Sequence, residues 1–274
     1  MISFVIYYHS SRLDNLNQTL RFLRKRENLD AELILVCQDQ YELQEDTGFK
    51  TYQYNMNMSF YHKAKMCNFG VGKASYDVVA LIDSDRILPE GYFSRCLTDI
   101  KPRDFISTEA LYRLKKEYSD EEIENDENLE KYQDFRSLDN TLFRKNLFAG
   151  NTVMFKEDYF KTGGMDESYA GYGFTDTDMT QNILSKGYKA KYLKEKELHL
   201  CHSHNIIWDN QKFYDFKIIS FTNAIKYCLK WKKINDVMLL KEKMDNENFE
   251  HCSLKLSSKY NEEKLKIDRL IKWF

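Results

Sequence analysis

The feature that most constrains this chain is the apolar run Val78-Val-Ala-Leu-Ile82, which ends abruptly in Asp83-Ser-Asp85. The run is too short for a helix and reads as a strand buried on both faces. Pro89 then stops any regular continuation. Buried parallel strands place their ligand sites at their carboxyl ends. An Asp-x-Asp pair at that point suits a hard divalent cation, which in turn suits a diphosphate. A plain polar turn uses the same residue types.

The residues before this run repeat a strand-helix rhythm. Ile2 to Tyr8 is an apolar strand and His9-Ser-Ser-Arg12 its turn. Asp14 or Asn15 is placed to cap a helix running to about Glu27, with Leu16, Leu20 and Leu23 at helical spacing. Glu32 to Cys37 is a second strand that delivers Gln38 and Asp39, and Thr51 to Tyr54 a third. Ser59 opens a second helix over Tyr61 to Lys73, closed near Gly72. This alternation predicts an α/β fold with a Rossmann-like, mostly parallel central sheet flanked by helices. The first turn lacks G-x-G-x-x-G, which argues against a dinucleotide fold. His9 and Arg12 nevertheless stand where such a turn meets a nucleotide, and Gln38 and Asp39 stand at the matching end of the second strand.

Downstream, residues 113–136 form a dense mixed-charge segment, expected as a solvent-exposed helix pair or an excursion between strands. Phe148 to Phe155 reads as a glycine-led strand and Glu157 to Thr162 as a short helix. Gly163-Gly-Met-Asp-Glu167 and Ala170-Gly-Tyr-Gly173 make a glycine-dense loop that permits positive φ and close backbone approach to a ligand. Thr175-Asp-Thr-Asp178 then opens a helix from about Asp176 to Lys186, stopped by Gly187. Its carboxylates suit the helix dipole, which alone accounts for both. Tyr188 to Leu193 and Glu197 to Cys201 read as two strands, the second carrying His199, with His202 and His204 close behind. On a strand His199 and His202 point to opposite faces, so sharing one ion requires a turn between them. Beyond Asn205 the pattern becomes lysine-rich and helical, first through Phe213 to Leu229, then around Val237 to Met244, then over Leu265 to Phe274. Such basic amphipathic helices pack on a main domain or lie on an anionic membrane surface.

Composition narrows the function classes. A net charge of −2 gives no electrostatic argument for nucleic acid. The 15% aromatic content suits both core packing and sugar-stacking clefts. Cys37, Cys67, Cys96, Cys201, Cys228 and Cys252 are scattered without C-x-x-C pairing and read as reduced thiols of a cytoplasmic protein. No run reaches the roughly 18 apolar residues of a membrane span, and the N-terminus opens on a strand rather than a leader.

Taken together, these motifs resemble a family. Tyr61-His-Lys63-Ala-Lys-Met-Cys-Asn68-Phe-Gly70 followed by Asp83-Ser-Asp85 looks like the donor half of inverting GT-A glycosyltransferases. The likeness is to β-1,4-galactosyltransferases and the bacterial chondroitin-polymerase-type domains. Phe148-Ala-Gly150 resembles their Phe-Gly-Gly, and Gly163-Gly-Met-Asp-Glu167 their Gly-Phe-Asp-Glu. Gly171-Tyr-Gly-Phe-Thr-Asp-Thr-Asp178 resembles Gly-Trp-Gly-Gly-Glu-Asp-x-Asp, and His199-x-x-His202 their second metal segment. The likeness covers about residues 2 to 204. Thr175 stands where the family has Glu, Tyr172 where it has Trp, and His9-Ser-Ser-Arg12 replaces a Pro-led, Arg-rich turn.

The resemblance implies a metal-dependent, inverting hexosyltransferase that moves a sugar from a nucleotide sugar, of the UDP-Gal, GalNAc, Glc or GlcNAc type, to a glycan hydroxyl. Asp176 is then the catalytic base. Tyr8, His9, Arg12, Gln38, Asp39, Lys63, Asp83, Ser84 and Asp85 surround the donor, while Gly150, Tyr172, Gly173, Thr175 and Asp178 meet the acceptor. Asp85, His202 and His199 hold Mn²⁺ or Mg²⁺. Residues 1–207 form the GT-A domain, with a nucleotide-sugar half at 1–100 and an acceptor half at 101–207, and 208–274 form a helical extension. The expected partners are a nucleotide-sugar donor and a free or lipid-linked glycan acceptor, with no nucleic acid. The expected setting is surface-polysaccharide synthesis, such as capsule or lipopolysaccharide, on the cytoplasmic side, with peripheral membrane contact through the C-terminal helices. Two other readings are a nucleotidyltransferase and a non-catalytic nucleotide-sugar- or glycan-binding subunit of a polysaccharide assembly complex.

Overall fold

The structure is a computed structural model that describes residues 1–39, 43, 47–58, 61–125, 132–134, 151–169, 171, 173–201 and 213–231. Elements follow the sequence rhythm. They are β1 (Ile2–Tyr8), α1 (Leu13–Arg26), β2 (Ala31–Cys37), β3 (Lys50–Asn55), α2 (Lys63–Lys73), β4 (Val78–Asp83), β5 (Arg86–Ile87) and α3 (Tyr92–Asp99). Then come β6 (Asp104–Leu114), α4 (Asp120–Glu124), β7 (Tyr132–Asp134), β8 (Asn151–Phe155), α5 (Lys156–Thr162), α6 (Thr175–Ser185), β9 (Lys189–His199) and α7 (Phe213–Lys230).

The strands form one sheet in the order β3-β2-β1-β4-β8-β6-β9-β5, with β7 paired to β6. The first four are parallel, β8 runs antiparallel to both β4 and β6, and β6 is again parallel to β9. Fully buried β1, β2 and most of β4 explain their uninterrupted apolar sequences, because helices cover both faces of the sheet. Side chains alternate in β4. Val78, Ala80 and Ile82 face a core completed by Leu16, Leu20 and Leu23 of α1 and by Tyr92 and Phe93 of α3. Val79 and Leu81 face the opposite core, with Ala64, Met66 and Cys67 of α2 and Met179 and Ile183 of α6. By the same alternation Asp83 falls on the α2 and α6 side.

Close packing there depends on two glycines. A Cβ on Gly70 would overlap Val5 of β1, so the glycine lets α2 approach the sheet. Gly164 has a φ of 63°, and a Cβ there would lie 2.7 Å from Asn68 Oδ1. Asn68 uses that oxygen to accept from Tyr159 Oη and from Met165 N at 3.0 Å. The Asn-x-Gly segment is thus a packing device between α2 and the glycine-dense loop.

Four boundaries differ from expectation. Leu13 rather than Asp14 begins α1, because a 3-10 turn over Ser10–Arg12 runs directly into it and Arg12 stands at its cap without a side-chain cap bond. Lys63 begins α2, capped by His62, whose ring accepts from Lys65 N; Ser59 lies outside the described residues. The mixed-charge segment contributes the end of β6, one short helix and the antiparallel β7 rather than a helix pair. That helix has a capping box of Ser119 and Glu122 and docks on α1 through Arg21–Asp120 at 2.7 Å and Lys25–Glu124. The two strands expected over 188–201 are one, β9. An irregularity at Thr108/Ala110 of β6 accommodates its charged middle, where Glu195 pairs with Arg95 at 2.6 Å.

The expected strand start at Phe148–Gly150, the turn at 202–204 and the two helices beyond residue 231 lie outside the described residues. Among the described residues no helix is long and apolar enough to cross a membrane. Of the thiols in that range, Cys37, Cys67, Cys96 and Cys228 are buried and Cys201 half-buried, all free. Burial and the neighbouring Asp39 carboxylate push Cys37 up to about 12, and burial takes Cys96 to about 12, so neither is a thiolate at neutral pH.

Candidate active site

Parallel pairing sets Tyr7 beside Asp83 and Tyr8 beside Cys37, so β1, β2 and β4 end along one edge. Their carboxyl ends deliver His9, Gln38, Asp39 and Asp83 there, and the first turns of α2 and α6 supply Lys63 and Asp176. The cluster assembles around Lys63. Its Nζ donates to Asp83 Oδ1 at 2.8 Å and to the Asp176 carboxylate at 2.7 Å, and it sits 5.0 Å from the centre of the Tyr7 ring. Lys63 is buried, whereas the Asp176 side chain is 32% exposed, so Asp176 is the open face of the pair.

A second cation lies behind the Asp-x-Asp turn. Arg86 donates from Nη2 to Asp83 Oδ2 at 2.9 Å, and its Nε lies 3.5 Å from both Asp85 Oδ1 and Glu197 Oε1. Glu197 is buried and accepts from Thr108 Oγ1 at 2.6 Å. Burial works against the Arg86 charge, but Asp83, Glu197 and Asp85 hold it and raise its pKa. For Asp83, burial pushes the carboxyl well above the usual range; Arg86 opposes this, while Asp176 and Asp85 reinforce it.

Asp85 faces β9. Arg86 and His199 are backbone partners in the β5–β9 ladder, which brings His199 Nε2 to 3.7 Å from Asp85 Oδ2. His199 Nδ1 donates to Leu200 O at 2.9 Å, leaving Nε2 as the lone-pair nitrogen on the side of Asp85. One divalent ion with bonds of about 2.1 Å can span such a carboxylate-imidazole gap, so these two donors fit Mn²⁺ or Mg²⁺. Among the described residues no group of three His, Cys, Asp or Glu is close enough to hold a metal, and His202 lies outside them.

At the ends of β1 and β2, His9 Nδ1 accepts from Ser11 N at 3.1 Å, so Nε2 carries the proton and lies 3.7 Å from Asp39 Oδ2. Asp39 also accepts from Ser10 N at 3.2 Å and Cys37 Sγ at 2.8 Å. Burial raises its pKa, but the hydrogen bonds from Cys37 and Ser10 outweigh that and lower it. Tyr8, Arg12 and Gln38 are buried beside it, and Gln38 Nε2 reaches Met58 O at 3.5 Å. Ser84 is buried as well, its carbonyl accepting from Thr19 Oγ1 at 3.1 Å.

In the loop before α6, Gly171 bridges to His62 and Gly173 has a φ of 94°. Gly150 and Tyr172 lie outside the described residues. Thr175 is buried. Asp178, expected to meet an acceptor, is committed inside the protein instead, accepting from Lys230 Nζ at 2.7 Å, Trp231 Nε1 at 2.8 Å and Tyr169 Oη at 3.2 Å. Arg86 and Glu197 carried no role in the sequence reading. Arg86 adjoins the motif directly, and Glu197 shares a strand face with His199; only that two-residue spacing hinted at a charge facing the site.

This fold is that of the GT-A glycosyltransferases. Among solved structures the chain is similar to GalNAc-T7 crystallised with UDP, GalNAc and Mn²⁺, at 12% identity and a TM-score of 0.57 over 83% of this chain and 47% of that one. It is also similar to Staphylococcus aureus TarS residues 1–349 in complex with UDP-GlcNAc, at 11% identity and a TM-score of 0.53 over 97% and 79%. The chain thus spans about half the length of the GalNAc-T7 chain. Residues 132–204 are similar to the family described as the N-terminal domain of galactosyltransferase. No curated protein sequence matches the chain.

Proposed function

We propose that the protein is a metal-dependent, inverting glycosyltransferase that moves a hexose from a UDP-sugar to a hydroxyl of a glycan acceptor in surface-polysaccharide synthesis. The observation that carries this reading is the convergence of Asp83 from the end of β4 and Asp176 from the start of α6 on the single ammonium of Lys63. GalNAc-T7 with UDP and Mn²⁺ and TarS with UDP-GlcNAc supply the donor class by analogy of fold.

In this reading Asp85 and His199, joined by His202, hold the divalent cation, which when bound supplies positive charge against the departing diphosphate. Arg12 and Lys63 add positive charge beside the nucleotide and His9 a ring N–H donor, Gln38 and Asp39 border the base, and Asp83 and Ser84 line the ribose side. Asp176 accepts the proton of the acceptor hydroxyl as its oxygen attacks C1 from the face opposite the diphosphate. The C1–oxygen bond to the diphosphate breaks as the new one forms, which inverts the anomeric centre. Gly150, Tyr172, Gly173 and Thr175 shape the acceptor side.

The test is a nucleotide-release screen over UDP-Gal, UDP-GalNAc, UDP-Glc and UDP-GlcNAc with glycan acceptors, run with Mn²⁺ or with EDTA. Release from one donor should need the metal and fall by about 10³-fold or more in Asp85→Ala. Asp176→Asn should lose transfer by a similar factor while retaining donor binding. Turnover that survives EDTA and Asp85→Ala, or silence with every donor, sinks the proposal.

A further inference from the structure

Helix α7 converges on the turn that carries Asp176. Its Ala224, Ile225, Tyr227 and Cys228 bury themselves with Tyr169. Five hydrogen bonds then run from α7 and the residue after it to residues 166–178. Asn223 Nδ2 donates to Gly173 O at 3.2 Å and Lys226 Nζ to Ser168 O at 2.9 Å. Lys230 Nζ donates to Asp166 Oδ2 at 2.9 Å and to Asp178 Oδ2 at 2.7 Å. Trp231 Nε1 donates to Asp178 Oδ1 at 2.8 Å.

Asp178 is 1% exposed, so these donors are what satisfies its buried oxygens. It lies two residues beyond Asp176 in the same first helical turn. The residue that opens the turn, Phe174, has a φ of 66°, a backbone conformation that strains a non-glycine residue. Its ring lies 5.6 Å from that of Tyr227 on α7. The strained entry into α6 is therefore held from the α7 side.

We propose that α7 is a latch for the proton-accepting turn. Lys230 and Trp231, acting through Asp178, and Asn223, acting through Gly173, fix the direction in which Asp176 leaves the helix. These are positioning residues that need never touch the substrates. The inference rests on the reading of Asp176 as the proton acceptor. It adds that residues 213–231 belong to the catalytic apparatus and are more than an appendage. Plain packing of α7 on the domain predicts lost stability on substitution, without a selective loss of turnover.

The test compares Trp231→Phe, Lys230→Met and Lys230→Arg with the native chain, using the UDP-sugar that the release screen identifies. Trp231→Phe and Lys230→Met should each lower kcat about tenfold or more with donor KM within about twofold, since misdirecting a reacting group costs rate rather than donor affinity. Lys230→Arg should recover most of the rate. Native-like kcat in both variants overturns the latch, as does a loss of kcat matched by an equal rise in donor KM. Asp176→Asn separates the two layers of argument. If it turns over at the native rate, the base assignment fails. If it is inactive while Trp231→Phe and Lys230→Met are both native-like, only the latch fails.

Discussion

Arg86 shows how much one residue can organise. Its guanidinium touches Asp83 at 2.9 Å and lies 3.5 Å from both Asp85 and Glu197, while its side chain is only 9% exposed. Removing one partner from a buried charged group strands the rest without compensation, which costs about 3–5 kcal/mol. Arg86→Met should therefore shift the urea midpoint strongly downward. Adding Glu197→Gln should return part of the loss, because one uncompensated acid disappears with it. Additive losses in the double variant would show that Arg86 and Glu197 do not interact. Asp83 and Asp85 stand beside Arg86 in the sequence, but its third acidic partner, Glu197, is more than a hundred positions away, and a buried charge leaves no periodic trace.

Among the elements, those written in local pattern were legible. The apolar runs of β1, β2 and β4 have no other stable use than buried strands, and the Asp-x-Asp turn follows from where β4 stops. The starts of α1 and α2 were misread because a 3-10 turn and a histidine cap replace the expected Asp, Asn and Ser signals. The continuity of β9 was hidden by its charged centre, which a tertiary partner, Arg95, satisfies. The convergence of Asp83 and Asp176 on Lys63 was not visible as spacing, because it depends on α2 and α6 covering the same sheet face.

The α7 contacts also carry a pH dependence. Burial raises the Asp166 carboxyl, but hydrogen bonds from Lys230 and Ser168 outweigh it and leave the folded pKa lowered from 3.8. Burial lowers Lys230, but hydrogen bonds from it to Asp178 and Asp166 outweigh this and leave it raised from 10.5. The Asp166 contribution is thus present above the unfolded carboxyl value and is lost as pH falls through the lower folded value. That of Lys230 is present below its unfolded value and is lost as pH rises through the higher folded one. Hydrogen exchange in 222–231, corrected for intrinsic rates, should stay slow at about pH 6 and accelerate below about pH 4, before the β1 and β4 amides respond. Simultaneous loss of protection in all three segments would mean that α7 has no separate acid transition.

At the scale of the whole molecule, the site draws on parts far apart in sequence, so a ligand that bridges them should stabilise all of them together. Mn²⁺ with UDP at about a hundred times its dissociation constant should add about 2.7 kcal/mol. That should raise the thermal midpoint by a few degrees, and EDTA should reverse it. A midpoint unchanged by saturating Mn²⁺ and UDP would count against the assembled site.

The position of β8 has one more consequence. The first four strands are contiguous in the chain and pair among themselves, but β4 gains its second neighbour only from residues 151–155. During synthesis, an apolar strand with an unpaired edge therefore waits while some seventy further residues emerge. The same strand that ends in the Asp-x-Asp turn thus offers an edge for wrong partnering at birth, and β8 is the segment whose arrival covers it.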